Sequence, residues 1–168
     1  AIRGLESVGT TMGMSPQSGL PHNNRVGDFD PFALPVIMRG TGLSLEEVLE
    51  TLAEKSGLLG LSGLSGDIRD LEEAADRGHA RAQLALDVFS GEIRRHLGGL
   101  LAELNGADAI VFTGGIGENA ARVRTAVVGQ LDNLGITLDA TANAAARGEC
   151  RISAVSSRTQ IWIVPTNE

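Results

Sequence analysis

The feature that most constrains this 168-residue chain is a glycine-rich strand–loop–helix centred on Gly114-Gly115-Ile116-Gly117-Glu118-Asn119. The short apolar run Ala109-Ile110-Val111-Phe112 predicts a buried strand within residues 108–113, and a helix is predicted to open at Glu118-Asn119. Such a junction aims free backbone N–H groups and the positive end of a helix at one point, and its glycines let a phosphate or sugar come close to the main chain. Ligands of open α/β sheets lie beyond the carboxyl ends of the strands. The segment therefore reads as a nucleotide cradle, with a sharp turn needing positive φ as the purely structural alternative. Gly115-Ile116-Gly117-Glu118-Asn119-Ala120 also fits the dinucleotide pattern Gly-x-Gly-x-x-Gly/Ala, with Asp139 standing about 20 residues on, where a ribose-binding acid would sit. Against a Rossmann-type module, too little chain follows to complete a doubly wound domain, and mostly helix precedes it.

Composition narrows the partners. A hydrophobic content of 42% with 21% charged residues is that of a soluble globular chain, and the length suits one domain or a large piece of one. The net charge of −7 argues against nucleic acid or an anionic membrane as the main partner, while leaving phosphates open to local arginines and backbone N–H groups. A single cysteine, Cys150, precludes an intrachain disulfide and suits a reducing cytoplasm; with no base or metal-ligand partner nearby, it reads as a small, partly buried residue. No apolar run approaches the ~20 residues of a membrane span. The first residues do not form a signal peptide and lack an initiator Met, so the chain is expected to begin mid-protein.

Along the chain, Ala1-Ile2 and Ser7-Val8-Gly9-Thr10-Thr11 predict a hairpin, residues 13–31 an irregular loop, and residues 32–38 a helix rather than a strand. Ser44-Leu45-Glu46-Glu47 is a capping box, followed by Leu45, Val48, Leu49 and Leu52 on one helical face, with Gly57 as the stop. Residues 57–66 alternate Leu with Ser and Gly and predict a tight loop. Asp67 caps a short helix to about Asp76, and a long helix with Leu84, Val88, Phe89, Ile93, Leu97, Leu100, Leu101 and Leu104 at helical spacing ends at Asn105-Gly106. Past the glycine segment, Val123, Val127, Leu131 and Leu134 predict one helix closed by Gly135. Residues 136–138, 152–155 and 161–164 predict further strands. Helices alternating with short strands imply an α/β sheet covered by helices.

Seven segments, in order, resemble the acetate kinase (acetokinase) family. They are Thr10-Thr11-Met12-Gly13, Arg25-Val26-Gly27-Asp28-Phe29-Asp30-Pro31, Lys55-Ser56-Gly57-Leu58-Leu59-Gly60-Leu61-Ser62-Gly63, Asp67-Ile68-Arg69-Asp70-Leu71-Glu72, Val111-Phe112-Thr113-Gly114-Gly115-Ile116-Gly117-Glu118-Asn119, Asn143-Ala144-Ala145-Ala146-Arg147-Gly148 and Pro165-Thr166-Asn167-Glu168. The resemblance implies a ribonuclease H-like (actin-like ATPase) domain of α/β class. Residues 1–168 would be most of the C-terminal, nucleotide-binding half of a duplicated two-domain kinase. It implies ATP-dependent phosphorylation of acetate, or of propionate or butyrate, with Mg²⁺ and ATP/ADP, in a cytoplasmic enzyme that is a homodimer at full length. Arg25 matches the arginine that steadies the phosphoryl group in flight, a role that suits a guanidinium facing equatorial oxygens. Asp67, Ile68 and Arg69 match the adenine-side segment, and Gly114, Gly115, Ile116, Gly117, Glu118 and Asn119 the ADP-binding loop. Glu168 matches the acid that positions Mg²⁺. No nucleophile–base pair is evident and none is needed, because a carboxylate acceptor is already deprotonated at neutral pH.

The chain departs from the family pattern beside Arg25, where Asn23-Asn24 replace Gly-Thr and Val26 replaces Ser, and at Gly9, where Asp is common. His22 lies close to Arg25 without matching a motif, and His79 and His96 sit on helix surfaces. The family's His-x-Gly-x-Gly loop, catalytic aspartate, histidine and second arginine would lie before Ala1. The 168 residues alone are therefore expected to be inactive and to expose an unpaired sheet edge.

Overall fold

A computed structural model of the chain describes residues 1–166; Asn167 and Glu168 lie outside the described residues. The chain divides into two compact units, Thr10–Glu92 and a discontinuous one made of Ala1–Gly9 with Ile93–Glu168. Helices and a small mixed sheet make the fold α/β.

The unit Thr10–Glu92 is helical. After an irregular stretch, Asp30 accepts a hydrogen bond from Phe32 N (2.9 Å) and starts a 3-10 turn, Pro31–Ala33, that runs into α1, Leu34–Thr41. The capping box forms as predicted. Ser44 Oγ accepts from Glu47 N, Glu47 accepts from Ser44 N at 2.8 Å, and α2 spans Leu45–Glu54. Of its predicted face only Val48 is fully buried, while Leu45 and Leu49 are about half exposed, at 46% and 49%. Gly57 does not stop α2, which ends at Glu54 with Lys55 as its C-cap. It opens a further helix, α3 (Gly57–Ser62), where a loop was predicted. Asp67 caps α4, Ile68–Asp76. The long helix α5, Ala80–Leu104, begins in this unit. The core here is Val48, Leu58, Ile68, Leu71, Ala74, Ala82, Ala85, Leu86 and Phe89. The buried stripe of α5 is thus Ala82, Ala85, Leu86, Phe89 and Ser90; Leu84, predicted on it, is 50% exposed.

The other unit begins with the predicted hairpin. Strands β1 (Ile2–Arg3) and β2 (Glu6–Ser7) pair across Gly4-Leu5, both at positive φ as a two-residue hairpin turn demands. Its sheet has the order β3-β5-β4, with β3 at Ala109–Phe112, β4 at Cys150–Arg151 and β5 at Gln160–Ile163. Strands β3 and β5 run parallel with Ile110 opposite Ile161, and β4 is antiparallel to β5. Among the described residues β3 is an edge strand with β5 as its one partner. That position explains why only Ile110 of the predicted buried strand is buried, while Val111 is 53% exposed. Two of the other predicted strands, 136–138 and 152–155, shrink to isolated bridges, Leu138 to Ser153 joining them and Leu131 to Ile136 just ahead. The core consists of Ile110, Val123, Val127, Val128, Ile136, Ile152, Ile161 and Ile163.

Three helices complete this unit. The glycine segment itself is helical: α6 spans Gly114–Asn119, so its helix begins four residues earlier than predicted, directly at the end of β3. Helix α7, Ala121–Val128, stops at Gly129, short of the predicted Leu134; Gln130 at φ 58° and a bridge from Leu131 to Ile136 turn the chain instead. The last, α8, Ala140–Ala145, is capped by Asp139, whose side chain accepts from Ala142 N at 2.9 Å. The residue placed on a ribose by the dinucleotide pattern is therefore a helix cap.

Candidate functional site

Arg25 lies on a loop clasped between two helices of its unit. Val26 N donates to Leu52 O near the end of α2 (2.9 Å). On the other side, the first N–H groups of α3 have no side-chain cap. They donate to loop carbonyls instead: Ser56 N to Asn24 O (2.9 Å), Leu58 N to His22 O (2.9 Å) and Leu59 N to Asn23 O (2.8 Å). His22 N closes the turn on Arg25 O at 3.1 Å, and Asp28 bonds Gly19 through both its N–H and its carboxylate. These hydrogen bonds between the loop and the two helices are all main chain to main chain. The departures at Asn23, Asn24 and Val26 therefore leave this clasp unaffected. Val26 instead joins Pro21, Leu61, Val88, Lys55 and Glu92 around a cavity of about 480 Å³.

Within this unit, among the described residues, the Arg25 guanidinium makes no hydrogen bond or ion pair, and the side chain is half-buried. His22 keeps solvent-facing surface, yet partial burial and then the Arg25 charge hold its pKa below the ordinary 6.5.

At the start of α4, Asp67 accepts from Arg69 N (2.8 Å), Arg69 Nε (3.0 Å) and Arg69 Nη2 (2.6 Å). The side-chain bonds from Arg69, then its backbone N–H, hold the Asp67 carboxyl down at about 2. Both roles weighed for Asp67 are thus geometrically compatible. It caps the helix and pins a guanidinium whose own side chain is 87% exposed. Ile68 is 5% exposed and belongs to the core, so what it can present to a ligand is backbone.

In the other unit, Thr113 is extended and Gly114 turns to φ +72° as β3 enters α6. A Cβ built on Gly114 or Gly115 would meet nothing within 4 Å, whereas one on Gly117 would lie 3.3 Å from the Phe112 backbone. The outer glycines therefore face open space, and the inner one packs on the strand. Asn119 Nδ2 donates back to Gly115 O at 2.9 Å. Glu118 Oε1 accepts from Thr166 N (3.0 Å) and Thr166 Oγ1 (3.3 Å), tying the chain that leaves β5 to α6. A cavity of about 400 Å³ adjoins this turn, lined by Glu118, Asn119, Arg124, Arg147 and Ile163.

Arg124, which no motif reveals, braces the glycine turn. It is 2% exposed, and its guanidinium donates from Nη1 to Gly117 O and Glu118 O (both 2.9 Å). It also donates from Nε to Asn143 Oδ1 (2.6 Å) and from Nη2 to Asn143 O (3.0 Å). Burial lowers its pKa, but four acceptors satisfy the group. Arg124 fixes the carboxyl end of α6 and connects it to α8. Its signal in the sequence is only a charge at a position of α7 that helical spacing places beside Val123 and Val127.

The structure thus brings Gly114, Gly115, Ile116, Gly117, Glu118 and Asn119 together in one turn, and Asp67 with Arg69 in another. Glu168 lies outside the described residues. Among those residues no group of three His, Cys, Asp or Glu could hold a metal, and no helix is long and apolar enough to cross a membrane.

The model of the acetokinase family matches residues 1–168. The chain is 45% identical over all 168 residues to an acetate kinase of Methanosarcina acetivorans, and 45% identical to one of Shouchella clausii. It spans only 41% and 42% of the lengths of those relatives. Among solved structures, the acetate kinase of Porphyromonas gingivalis superposes with a TM-score of 0.90 at 38% identity, over 94% of this chain and 40% of that one. A propionate kinase of Francisella tularensis superposes with a TM-score of 0.92 at 35% identity, over 99% of this chain and 42% of that one. With a match along its whole length and the same α/β fold, this chain belongs to the acetokinase family.

Proposed function

We propose that this chain supplies the nucleotide-binding part of a kinase that moves the γ-phosphoryl group of ATP to a carboxylate oxygen of acetate. The bond from phosphorus to the β–γ bridging oxygen breaks, a bond to the carboxylate oxygen forms, and ADP and acetyl phosphate leave. The observation that carries this proposal is the family match along all 168 residues, joined to the open surface over Gly114 and Gly115. In this reading residues 1–168 are most of the C-terminal half of a duplicated actin-like, ribonuclease H-like kinase, homodimeric and cytoplasmic. Residues Gly114 to Asn119 receive ADP or ATP, with Glu118 and Arg124 holding the turn in shape. Asp67 and Arg69 present a fixed guanidinium, and Ile68 its backbone, on the adenine side.

Arg25 neutralises charge on the phosphoryl oxygens during transfer. Its fixed main chain and a guanidinium without a partner among the described residues of its unit suit that task, because phosphoryl transfer is catalysed chiefly by positioning and charge. Mg²⁺ would be held by the Glu168 carboxylate together with nucleotide phosphates and water, a donor set normal for this ion. The tie from Glu118 to Thr166 holds the chain leading towards Glu168 beside the glycine turn. When bound, the ion supplies neutralising charge to the phosphates.

A second reading, in which propionate is the preferred acid, is favoured by the likeness to the Francisella propionate kinase. The test is acyl phosphate formation by the full-length protein with ATP, Mg²⁺ and either acid, trapped with hydroxylamine. Acetyl phosphate as the faster product is expected, and faster turnover of propionate selects the second reading. Product with neither acid would overturn the function.

A further inference from the structure

The backbone of the segment Lys55 to Gly63 carries the loop of Arg25. Gly57 adopts φ +57°, and a Cβ there would lie 2.0 Å from His22 O, 2.6 Å from Arg25 O and 3.0 Å from Arg25 N. Gly66, beyond α3, is closed less tightly: its Cβ would lie 2.7 Å from Asn23 O and 3.0 Å from Asn23 C. The obstructing atoms are main chain, so no rotamer change relieves them. Between these two contacts the unpaired N–H groups of α3 grip the carbonyls of residues 22–24, while Val26 N holds Leu52 O. A side chain at either glycine must push the Arg25 peptide off α3 or break those bonds.

We propose that Gly57 and, more weakly, Gly66 are positioning residues for phosphoryl transfer, setting the place of the Arg25 guanidinium by setting its main chain. The proposal rests on the reading of Arg25 as the group that stabilises the phosphoryl oxygens. A shift of about an ångström in such a group costs on the order of 100-fold in rate. Because neither glycine belongs to the nucleotide-binding turns, the loss falls on kcat and not on the KM for ATP.

The test is a double-mutant cycle in the full-length kinase with Arg25→Ala, Gly57→Ala, Gly66→Ala and the two double variants, alongside thermal melts. Gly57→Ala is expected to lower kcat roughly 100-fold and Gly66→Ala roughly 10-fold, with the KM for ATP unchanged. In the Arg25→Ala background both effects should vanish, because the group they position is gone. Losses that multiply in the double variants, or an ATP KM that rises while kcat holds, would overturn the proposal. Should Gly57→Ala fail to fold, the Gly66 arm decides alone: normal kcat in a folded Gly66→Ala protein overturns it. Normal turnover of Arg25→Ala itself identifies a different failure, that of Arg25 as the stabilising group.

Discussion

Two regions of this molecule are rich in glycine for opposite reasons. Around Arg25, the Cβ positions of Gly19, Gly27, Gly57 and Gly66 are filled by the protein's own backbone at 2.0–2.7 Å. At the head of α6, Gly114 and Gly115 have nothing within 4 Å. The first set makes a loop rigid by letting main chain pack on main chain. The second leaves open space where the chain passes from β3 into α6. A glycine count cannot separate these uses, since both segments read alike as turn-forming, and only the occupancy of the missing side chain's place distinguishes them.

The largest way to sharpen the contrast is to remove what the rigid region holds. Arg25→Ala should reduce kcat by on the order of 1,000-fold with little change in ATP affinity, measured by steady-state kinetics on the full-length kinase. Next, Arg124→Met keeps much of the side chain's volume but strips four hydrogen bonds from Gly117, Glu118 and Asn143. Leaving those acceptors buried and unpaired should cost about 3 kcal/mol in denaturant unfolding. An unchanged midpoint would show that α6 holds its shape without this brace. Gly27→Ala should cost at least about 2 kcal/mol, because φ is +78° and the new Cβ falls 2.4 Å from Pro21 N.

The smallest effect belongs to Asp67. Its folded carboxyl, near 2, lies below the ordinary 3.8, so the unfolded chain binds the proton more readily. The stability it supplies is complete above the unfolded value and is lost as pH falls from 3.8 towards 2. The difference in unfolding midpoint between the protein and Asp67→Asn should therefore be present at about pH 6 and shrink below about pH 3, and salt should weaken it at both. A pH-independent difference would mean that the cap acts without its charge.

Local chemistry was legible in the sequence wherever partners lie within a few residues. The capping box of Ser44 and Glu47, the Asp67 cap and the strand ahead of the glycine segment are predicted and form, and the N-terminal hairpin forms with shorter strands, Ile2–Arg3 and Glu6–Ser7, than the predicted pairing with residues 7–11. What was missed depends on distant partners. Helix α3 looked like a loop because its cap is supplied by carbonyls some thirty residues upstream, at His22 to Asn24. Helical spacing puts Leu84, Val88, Phe89 and Ile93 on the inner face of α5; Phe89 is buried there, but close packing fills the rest of the stripe with Ala82, Ala85 and Leu86, and Leu84 stays half exposed. Spacing alone carries the helix beyond α6 through Leu131 and Leu134, whereas Gly129 with Gln130 ends it early. Of the site, the family likeness singled out Arg25, Asp67, Arg69 and the turn from Gly114 to Asn119. It did not single out Arg124, whose role is visible only once α7 and α8 are packed against α6.

The central claim is that the open glycines of α6 are open for a nucleotide, and the ATP dissociation constant of Gly115→Val tests it most directly. Gly115 is not in the left-handed region and its Cβ would touch nothing, so the substitution should leave the melting temperature unchanged while weakening Mg·ATP binding by about 10-fold or more. Unaltered ATP affinity in a protein that melts normally would contradict the account.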